Sequence, residues 1–266
     1  MVVPHIIIDA DTLLYRIGFL YLGDGPEKYI AAIKQLMTST ISDTLNAFER
    51  IYGNSWTKYN VEIAFSGKGE KFRNEFDRES IYKEQRAKAK KPVYIEEMLT
   101  EIIVNYKYFG RNVNINPGVT VSMWGEADDM VSCLAWIQIK YGNPYMIAGC
   151  DKDLLQIPGL HYNYLKKTIK EISLEEANRN FFIQLLMGDV ADSVPGLKGI
   201  GHKRATYILG GLNTPEDMYE AVENAYINHY KNILTSDEIA ELIYERANKL
   251  WLRRKDDEIW TPPIPS

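Results

Sequence analysis

The stretch Val2-Val-Pro-His-Ile-Ile-Ile-Asp9-Ala-Asp11 decides the fold class. It is a short apolar run, of strand length, that ends in an acid. Three similar runs follow, Val61–Phe65, Val119–Ser122 and Pro144–Ala148, the last succeeded by Gly149. Long amphipathic segments lie between them: Tyr29–Tyr52, Ile95–Tyr108 and Asp128–Tyr141. Strands interleaved with helices of this length predict an α/β fold with a mostly parallel central sheet flanked by helices. In such a sheet functional groups gather at the carboxyl ends of the strands, so Asp9 and Asp151 are expected to converge.

After residue 172 the pattern changes. Ser173-Leu-Glu-Glu176 reads as a capping box opening a helix to about Met187. Six glycines between Gly188 and Gly211 precede short helical segments with no convincing strand. The expected division is therefore an α/β core over 1–172 and a smaller helical lobe over 173–266. The ending Trp260-Thr-Pro-Pro-Ile-Pro-Ser266 is too proline-rich for helix or strand.

Composition excludes several classes. The 266 residues are 45% hydrophobic and 25% charged, an ordinary globular balance. No apolar run approaches the length of about eighteen residues that spans a bilayer, and the N-terminal Leu13–Leu22 run is broken by Arg16. Neither a membrane span nor a secretory signal is expected. The two cysteines, Cys133 and Cys150, form no metal or disulfide framework and read as reduced cytoplasmic thiols. With 31 Lys+Arg against 36 Asp+Glu the net charge is −5. An acidic balance by itself opposes a nucleic-acid partner, but acids that hold cations do not repel a polyanion.

Four acidic groups stand out: Asp9 after the first strand; Glu126, Asp128 and Asp129 after the third; Asp151 and Asp153 after the fourth; and Asp189 with Asp192 where the 173–187 helix ends. Singly, such acids are helix N-caps or turn residues. The pair at 189 and 192 opposes both itself and the helix dipole, which a cation would relieve. Carboxylates from three strand ends suit Mg²⁺ or Mn²⁺ in a two-metal phosphodiesterase site, whereas zinc-type clusters and a phosphate-binding Gly-Lys-Ser/Thr loop are missing. Scattered structural acids remain the alternative.

Two segments carry positive charge. Residues 82–92 contain Tyr82, Lys83, Arg86, Lys88, Lys90 and Lys91 against one acid, and Lys83 and Arg86 are spaced to share a helix face. Tyr82 has the chemistry to stack a base, although such tyrosines more often pack. In Val194-Pro-Gly-Leu-Lys-Gly-Ile-Gly-His-Lys-Arg-Ala205, Gly199 and Gly201 precede a helix beginning near His202, and Lys198, Lys203 and Arg204 add charge without base-reading groups.

Taken in order, Ile8-Asp-Ala-Asp11 to Arg16, Phe72-Arg73, Tyr82-Lys-Glu-Gln-Arg86, Gly125-Glu-Ala-Asp-Asp129, Asp151-Lys-Asp-Leu-Leu155 and Gly188-Asp-Val-Ala-Asp-Ser-Val-Pro-Gly196 resemble the 5′-nuclease (flap endonuclease) superfamily. Within it the chain looks most like the tailed-bacteriophage 5′→3′ exonucleases. The resemblance implies a PIN-like core, a helical arch near residues 70–110 and a lobe bearing a helix–three-turn–helix. It implies Asp9, Glu126, Asp128, Asp129, Asp151, Asp153, Asp189 and Asp192 as ligands of two divalent cations. Lys83 and Arg86 match catalytic arch residues. Tyr82, Lys198, Gly199, Gly201, Lys203 and Arg204 match DNA contacts, and a K⁺ ion is expected at the glycine loop. The implied substrate is DNA with a 5′ end or 5′ flap, RNA–DNA hybrid being a further candidate, cut by a monomer in the cytoplasm of a bacterial host cell. One departure is clear: Ser66 or Gly67 stands where many relatives carry an acid. A non-catalytic DNA-binding relative and a PIN-type ribonuclease are the competing readings.

Overall fold

The computed structural model describes residues 3–20, 25–53, 56, 58–66, 72–84, 95, 97, 100, 118–122 and 125–263. These divide into two compact units, one of residues 1–69 and 90–172, the other of residues 70–89 and 173–266. Segment 70–89 therefore joins the helical unit, not the core in which it was expected. Its reason is chemical: Arg73 and Glu79 are committed to partners on the last helix of that unit.

In the first unit, β1 (His5–Asp9), β2 (Asn60–Ala64), β3 (Gly118–Ser122), β4 (Tyr145–Ala148) and β5 (Gly159–Asn163) run parallel. An antiparallel β6 (Thr168–Ile172) completes a sheet of order β3-β2-β1-β4-β5-β6. The order reverses between β1 and β4, and ligands of open α/β sheets bind at that crevice. Helix α1 (Asp11–Leu20) follows β1, α2 (Pro26–Tyr52) precedes β2, and α3 (Ala127–Tyr141) precedes β4. The sheet is thus mostly parallel and flanked by helices, as expected. Of the expected helix over 95–108 and the arch beyond residue 84, residues 95, 97 and 100 are described, each in helical conformation, and the other residues up to 117 lie outside the described set.

Burial explains the ordering. Ile6, Ile7 and Ile8 are fully buried, as a strand covered on both faces requires. Ile6 and Ile8 pack with Leu13, Tyr29, Ile33, Met37 and Phe48 of α1 and α2. By alternation Ile7 faces the side that α3 covers. Each such side chain contributes about 1.5–3 kcal/mol of transfer free energy. The Tyr29 hydroxyl donates to the Leu14 carbonyl at 3.0 Å and pins α2 to α1.

The second unit contains α4 (Leu174–Met187), α5 (His202–Ile208), α6 (Pro215–Tyr230) and α7 (Ser236–Leu250). The capping box at its start is present: Ser173 Oγ accepts from Glu176 N, and Glu176 Oε2 accepts from Ser173 N, both at 3.0 Å. Its core joins Phe181, Leu185, Met218, Val222, Tyr226, Ile243 and Trp260. Where no strand was expected, β7 (Gly188–Asp189) pairs with β8 (Val194–Pro195). This pairing needs two glycines face to face: a Cβ on Gly196 would lie 2.1 Å from the Met187 carbonyl.

His161 in β5 reports on the sheet. It is buried beside Ile157, whose carbonyl lies 2.7 Å from Nε2, and it pairs with Lys170 across β6. Burial, with a smaller push from Lys170, lowers its imidazole from 6.5 to about 4. A depressed histidine contributes stability that is complete above pH 6.5 and is lost as pH falls toward 4. Between pH 7.5 and 4.5 this residue alone should remove about 2–3 kcal/mol. Urea unfolding of the parent and His161→Gln should show a shallower pH dependence in the variant by that amount. Parallel curves would exclude the effect.

Candidate active site

The acids of the first unit meet at the carboxyl ends of the strands. Asp9 ends β1 and is buried, its Oδ1 accepting from Asp11 N at 3.2 Å. The Tyr164 hydroxyl donates to the Asp9 carbonyl at 3.0 Å and fixes the backbone there. Burial holds the Asp9 carboxyl well above the usual carboxylate range, and the neighbouring charges of Asp11, Asp128 and Asp151 add to this. Those contributions come from three segments, so β1, the start of α3 and the end of β4 do converge.

Glu126, Asp128 and Asp129 open α3, and carboxylate oxygens from all three lie within 4.8 Å of one another. Glu126 and Asp129 are buried. The capping explanation fails for Glu126, which occupies the N-cap position without a side-chain hydrogen bond to the helix. A neighbour does that work: Ser66 Oγ accepts from Ala127 N at 3.0 Å. Ser66 follows β2, and its own N–H donates to Asp11 Oδ1 at 2.9 Å. The position lacking an acid thus faces the acidic helix start, with its hydroxyl serving as a cap. Gly67, the other candidate for that place, lies outside the described residues.

After β4, Asp151 is exposed and Asp153 buried. Asp151 Oδ1 accepts from Asp153 N at 3.0 Å, and Lys152 Nζ lies 3.0 Å from Asp153 Oδ1.

The second unit holds the remaining expected ligands, Asp189 and Asp192, both buried. Sequence spacing set these two against each other and against the helix dipole. The fold moderates that conflict without an ion: Asp189 Oδ1 accepts from Ala191 N at 2.8 Å and Asp192 N at 3.3 Å, and Gln184 Nε2 lies 3.3 Å from Oδ2. Gly188, with φ of 72°, ends α4 so that Asp189 leaves the helical spiral.

Lys83 and Tyr82 belong to the same unit. Lys83 was expected on a helix face with Arg86. It occupies a turn instead, at φ 56°, with its N–H donating to the Asp192 carbonyl at 2.9 Å. Arg86 lies outside the described residues, as do Lys88, Lys90 and Lys91. Tyr82 is buried among lobe residues, with Lys83 Nζ 4.8 Å from its ring centre and its hydroxyl 3.4 Å from Asp192 Oδ2. Its ring is a packing element and not an exposed platform for a base.

In the glycine segment, α5 begins at His202 as expected, and Lys198, Lys203 and Arg204 are exposed together with Gly199 and Gly201. Sequence reasoning did not assign Asp11 or Ser66 to ligand orientation, and it missed Tyr164. The Asp-x-Asp spacing at a strand end was the available signal for Asp11. Tyr164, remote in sequence from Asp9, offered none.

This chain belongs to the 5′-3′ exonuclease family: the model of the 5′-3′ exonuclease N-terminal, resolvase-like domain matches residues 4–182. It is 25% identical to a 5′-3′ exonuclease of Buchnera aphidicola subsp. Schizaphis graminum over 240 residues, 86% of this chain and 77% of the relative. It is 26% identical to flap endonuclease Xni of Shewanella frigidimarina over 180 residues, 64% of this chain and 68% of that one. Among solved structures it superposes on the 5′-exonuclease of bacteriophage T5 with bound zinc ions at a TM-score of 0.59, with 17% identity, covering 93% of this chain and 89% of the other. At that identity the phage likeness is one of fold. The relatives just named from sequence are bacterial.

The two loop glycines are not equivalent. Gly199 has φ of +81°, where a side chain is strained, whereas Gly201 has φ of −96° and open space around its missing Cβ. Gly199→Ala should lower unfolding free energy by about 1 kcal/mol and Gly201→Ala by less than half of that. Equal losses in urea denaturation would show that the conformation of Gly199 is not the constraint.

Proposed function

We propose that this protein hydrolyses DNA phosphodiesters from a 5′ end or 5′ flap, using two divalent cations, Mg²⁺ or Mn²⁺. The observation that carries the reading is the crowding of carboxylates at the carboxyl edge of a parallel sheet. Asp9 is pushed up by burial and by three like charges, the electrostatic state that bound cations relieve. The donors fit: they are hard oxygens, and the 4.8 Å spread of Glu126, Asp128 and Asp129 is close to the span across a Mg²⁺ shell, about 4 Å for oxygens at about 2.1 Å from the ion.

Asp9, Glu126, Asp128, Asp129, Asp151 and Asp153 would hold the ions, with Asp189 and Asp192 assigned as ligands on the family resemblance. The cations supply a water-derived nucleophile at neutral pH and neutralise charge on the leaving oxygen. The protein's own groups do the rest. Asp11 and Ser66 tie the ends of β1 and β2 together and so orient Asp9 and the start of α3. Lys83 and Arg86 are assigned, on the family resemblance, as the cations that would offset charge developing on the scissile phosphate. Lys198, Lys203 and Arg204 grip duplex phosphates without reading bases. A K⁺ ion at the Gly199–Gly201 loop, activity on RNA–DNA hybrids, a phage setting in a host cytoplasm and a monomeric state are further parts of the reading. No helix among the described residues is long and apolar enough to cross a membrane.

The deciding experiment digests a 5′-labelled and a 3′-labelled duplex, and a 5′-flap substrate, with and without Mg²⁺. The 5′ label should be released first, and only with metal. Asp153→Asn should abolish cleavage, by several orders of magnitude if the metals supply the usual several kcal/mol, while duplex affinity persists. Near-normal turnover of that variant at saturating Mg²⁺ would sink the metal assignment. Duplex binding with no cleavage in either metal would establish the non-catalytic alternative.

Ser66 gives a second test. A hydroxyl replaces a carboxylate beside the acidic helix start, so one ion is expected to bind more weakly than in relatives with the full set. Ser66→Asp keeps an acceptor for Ala127 N and adds a charge. Its cleavage rate should reach half-maximum at a lower Mg²⁺ concentration, and Mn²⁺ should activate the parent at lower concentration than Mg²⁺. An unchanged metal titration would mean that position 66 does not serve the ions.

A further inference from the structure

Residues 72–84 form one 3₁₀ turn, Phe72–Phe76, and otherwise irregular backbone. Ordering such a segment opposes conformational entropy, and little of it is answered by regular hydrogen-bond ladders. The answer comes from one helix. Arg73 is buried, and its guanidinium donates to the carbonyls of Lys249 (3.1 Å) and Trp251 (2.6 Å) at the carboxyl end of α7. A cation there meets the helix's unsatisfied carbonyls and its negative dipole end.

The next residues are clamped in turn. Glu245 Oε1 accepts from the backbone N–H groups of Arg78 (3.2 Å) and Glu79 (2.9 Å). Arg246 donates to Glu79 through a two-pronged contact, Nε at 2.8 Å and Nη2 at 2.6 Å. Lys249 Nζ reaches the Ser80 carbonyl (2.6 Å), Glu245 (2.6 Å) and Asp77 Oδ1 (3.2 Å). Asp77 Oδ1 accepts the N–H of Tyr82 at 2.8 Å. Arg246 and Lys249 are each 1% exposed. Buried ion pairs are poor sources of net stability compared with apolar packing, and their best-attested use is to specify one geometry. An apolar contact could slide; a two-pronged guanidinium pair cannot.

The clamp ends one residue before Lys83. That residue has the left-handed backbone conformation that side chains disfavour, and such strain persists only where the surroundings impose it. From one side the clamp imposes it, and from the other the Asp192 carbonyl does.

We propose that the Glu79–Arg246 and Asp77–Lys249–Glu245 pairs are a positioning device for Lys83, so that residues of the last helix, remote in sequence from the acids, set the rate of cleavage. The inference rests on the reading of Lys83 as a group that acts on the scissile phosphate. A misplacement of the order of 1 Å is enough to slow an enzymatic step about 100-fold.

The test is a double-mutant cycle read by single-turnover cleavage of a 5′-labelled flap substrate at saturating Mg²⁺, with duplex affinity measured in parallel. Glu79→Gln, which preserves shape and removes the charge, should slow cleavage about 10- to 100-fold, with affinity changed less than about 2-fold. Arg246→Lys keeps the charge but loses the second prong, and should behave alike with a smaller loss. In a Lys83→Ala background neither change should slow cleavage further, because the group they position is gone. Equal losses in both backgrounds, or a change confined to affinity or melting temperature, would overturn the positioning role. Failure of both variants to fold would assign the network to stability alone and also overturn it. If Lys83→Ala by itself leaves the rate intact, the assignment of Lys83 fails first, and that outcome is separately visible in the single variant.

Discussion

Repulsion among carboxylates at one sheet edge is the constraint on which the first unit depends. Unit charges about 5 Å apart repel by about 3 kcal/mol at an effective dielectric near 20, and the charges of Asp11, Asp128 and Asp151 all act on Asp9. The acids are brought together by the strands they follow. β1 is buried on both faces through Ile6, Ile7 and Ile8, so its end cannot move away from its neighbours without opening the core. The local device that sets each acid is shared. Asp9 accepts the N–H two residues on, Asp151 does the same with Asp153, and Asp189 with Ala191. This Asx-type turn orients a carboxylate by covalent proximity. The recurrent Asp-x-Asp spacing is thus explained partly by chemistry and partly by turn geometry.

That shared device shows why some features were legible in the sequence and others were not. The strands that precede Asp9 and Asp151 are mainly apolar, a pattern that depends only on burial, and the Ser173 capping box is purely local. Helix α1 was hidden because its apolar run reads equally well as helix or buried strand. The β5–β6 hairpin was hidden for a different reason. Strand β6 is largely exposed, and its connection has no Asn-Gly or Asp-Gly signal. Asn163 holds that turn by accepting from the N–H groups of Leu165 and Lys166, with Lys167 at φ 56°. A non-glycine in that conformation leaves no trace in composition.

In the segment 72–84 the charged residues other than those of the Phe72-Arg73 and Tyr82-Lys-Glu-Gln-Arg86 motifs carried no reading from the sequence. Here Arg73 is buried and Glu79 is bound to a buried arginine, because the partners lie about 170 residues away on α7. Pattern rules work with near neighbours; an ion pair of that separation is invisible to them. Net charge misleads in the same way. A chain of −5 keeps Lys198, Lys203 and Arg204 exposed together beside the glycine loop, and a phosphate backbone responds to the local potential, not to the sum.

Buried charge is used in two opposite ways, and the contrast separates ion-paired acids from the acids gathered around Asp9. In the second unit, Glu79 meets Arg246, and Glu245 meets Lys249, each at 2.6 Å. These acids are neutralised by a built-in cation, so their burial needs no external ion. In the first unit, Asp9 is buried against Asp11, Asp128 and Asp151, and Glu126 lies within reach of Asp128 and Asp129. Lys152, 62% exposed, pairs with Asp153, where solvent screens it. Burial of like charges raises the free energy of the fold. A protein retains such an arrangement where an external cation lowers it again, which makes the sign of a buried acid's nearest charges a better guide to function than its burial.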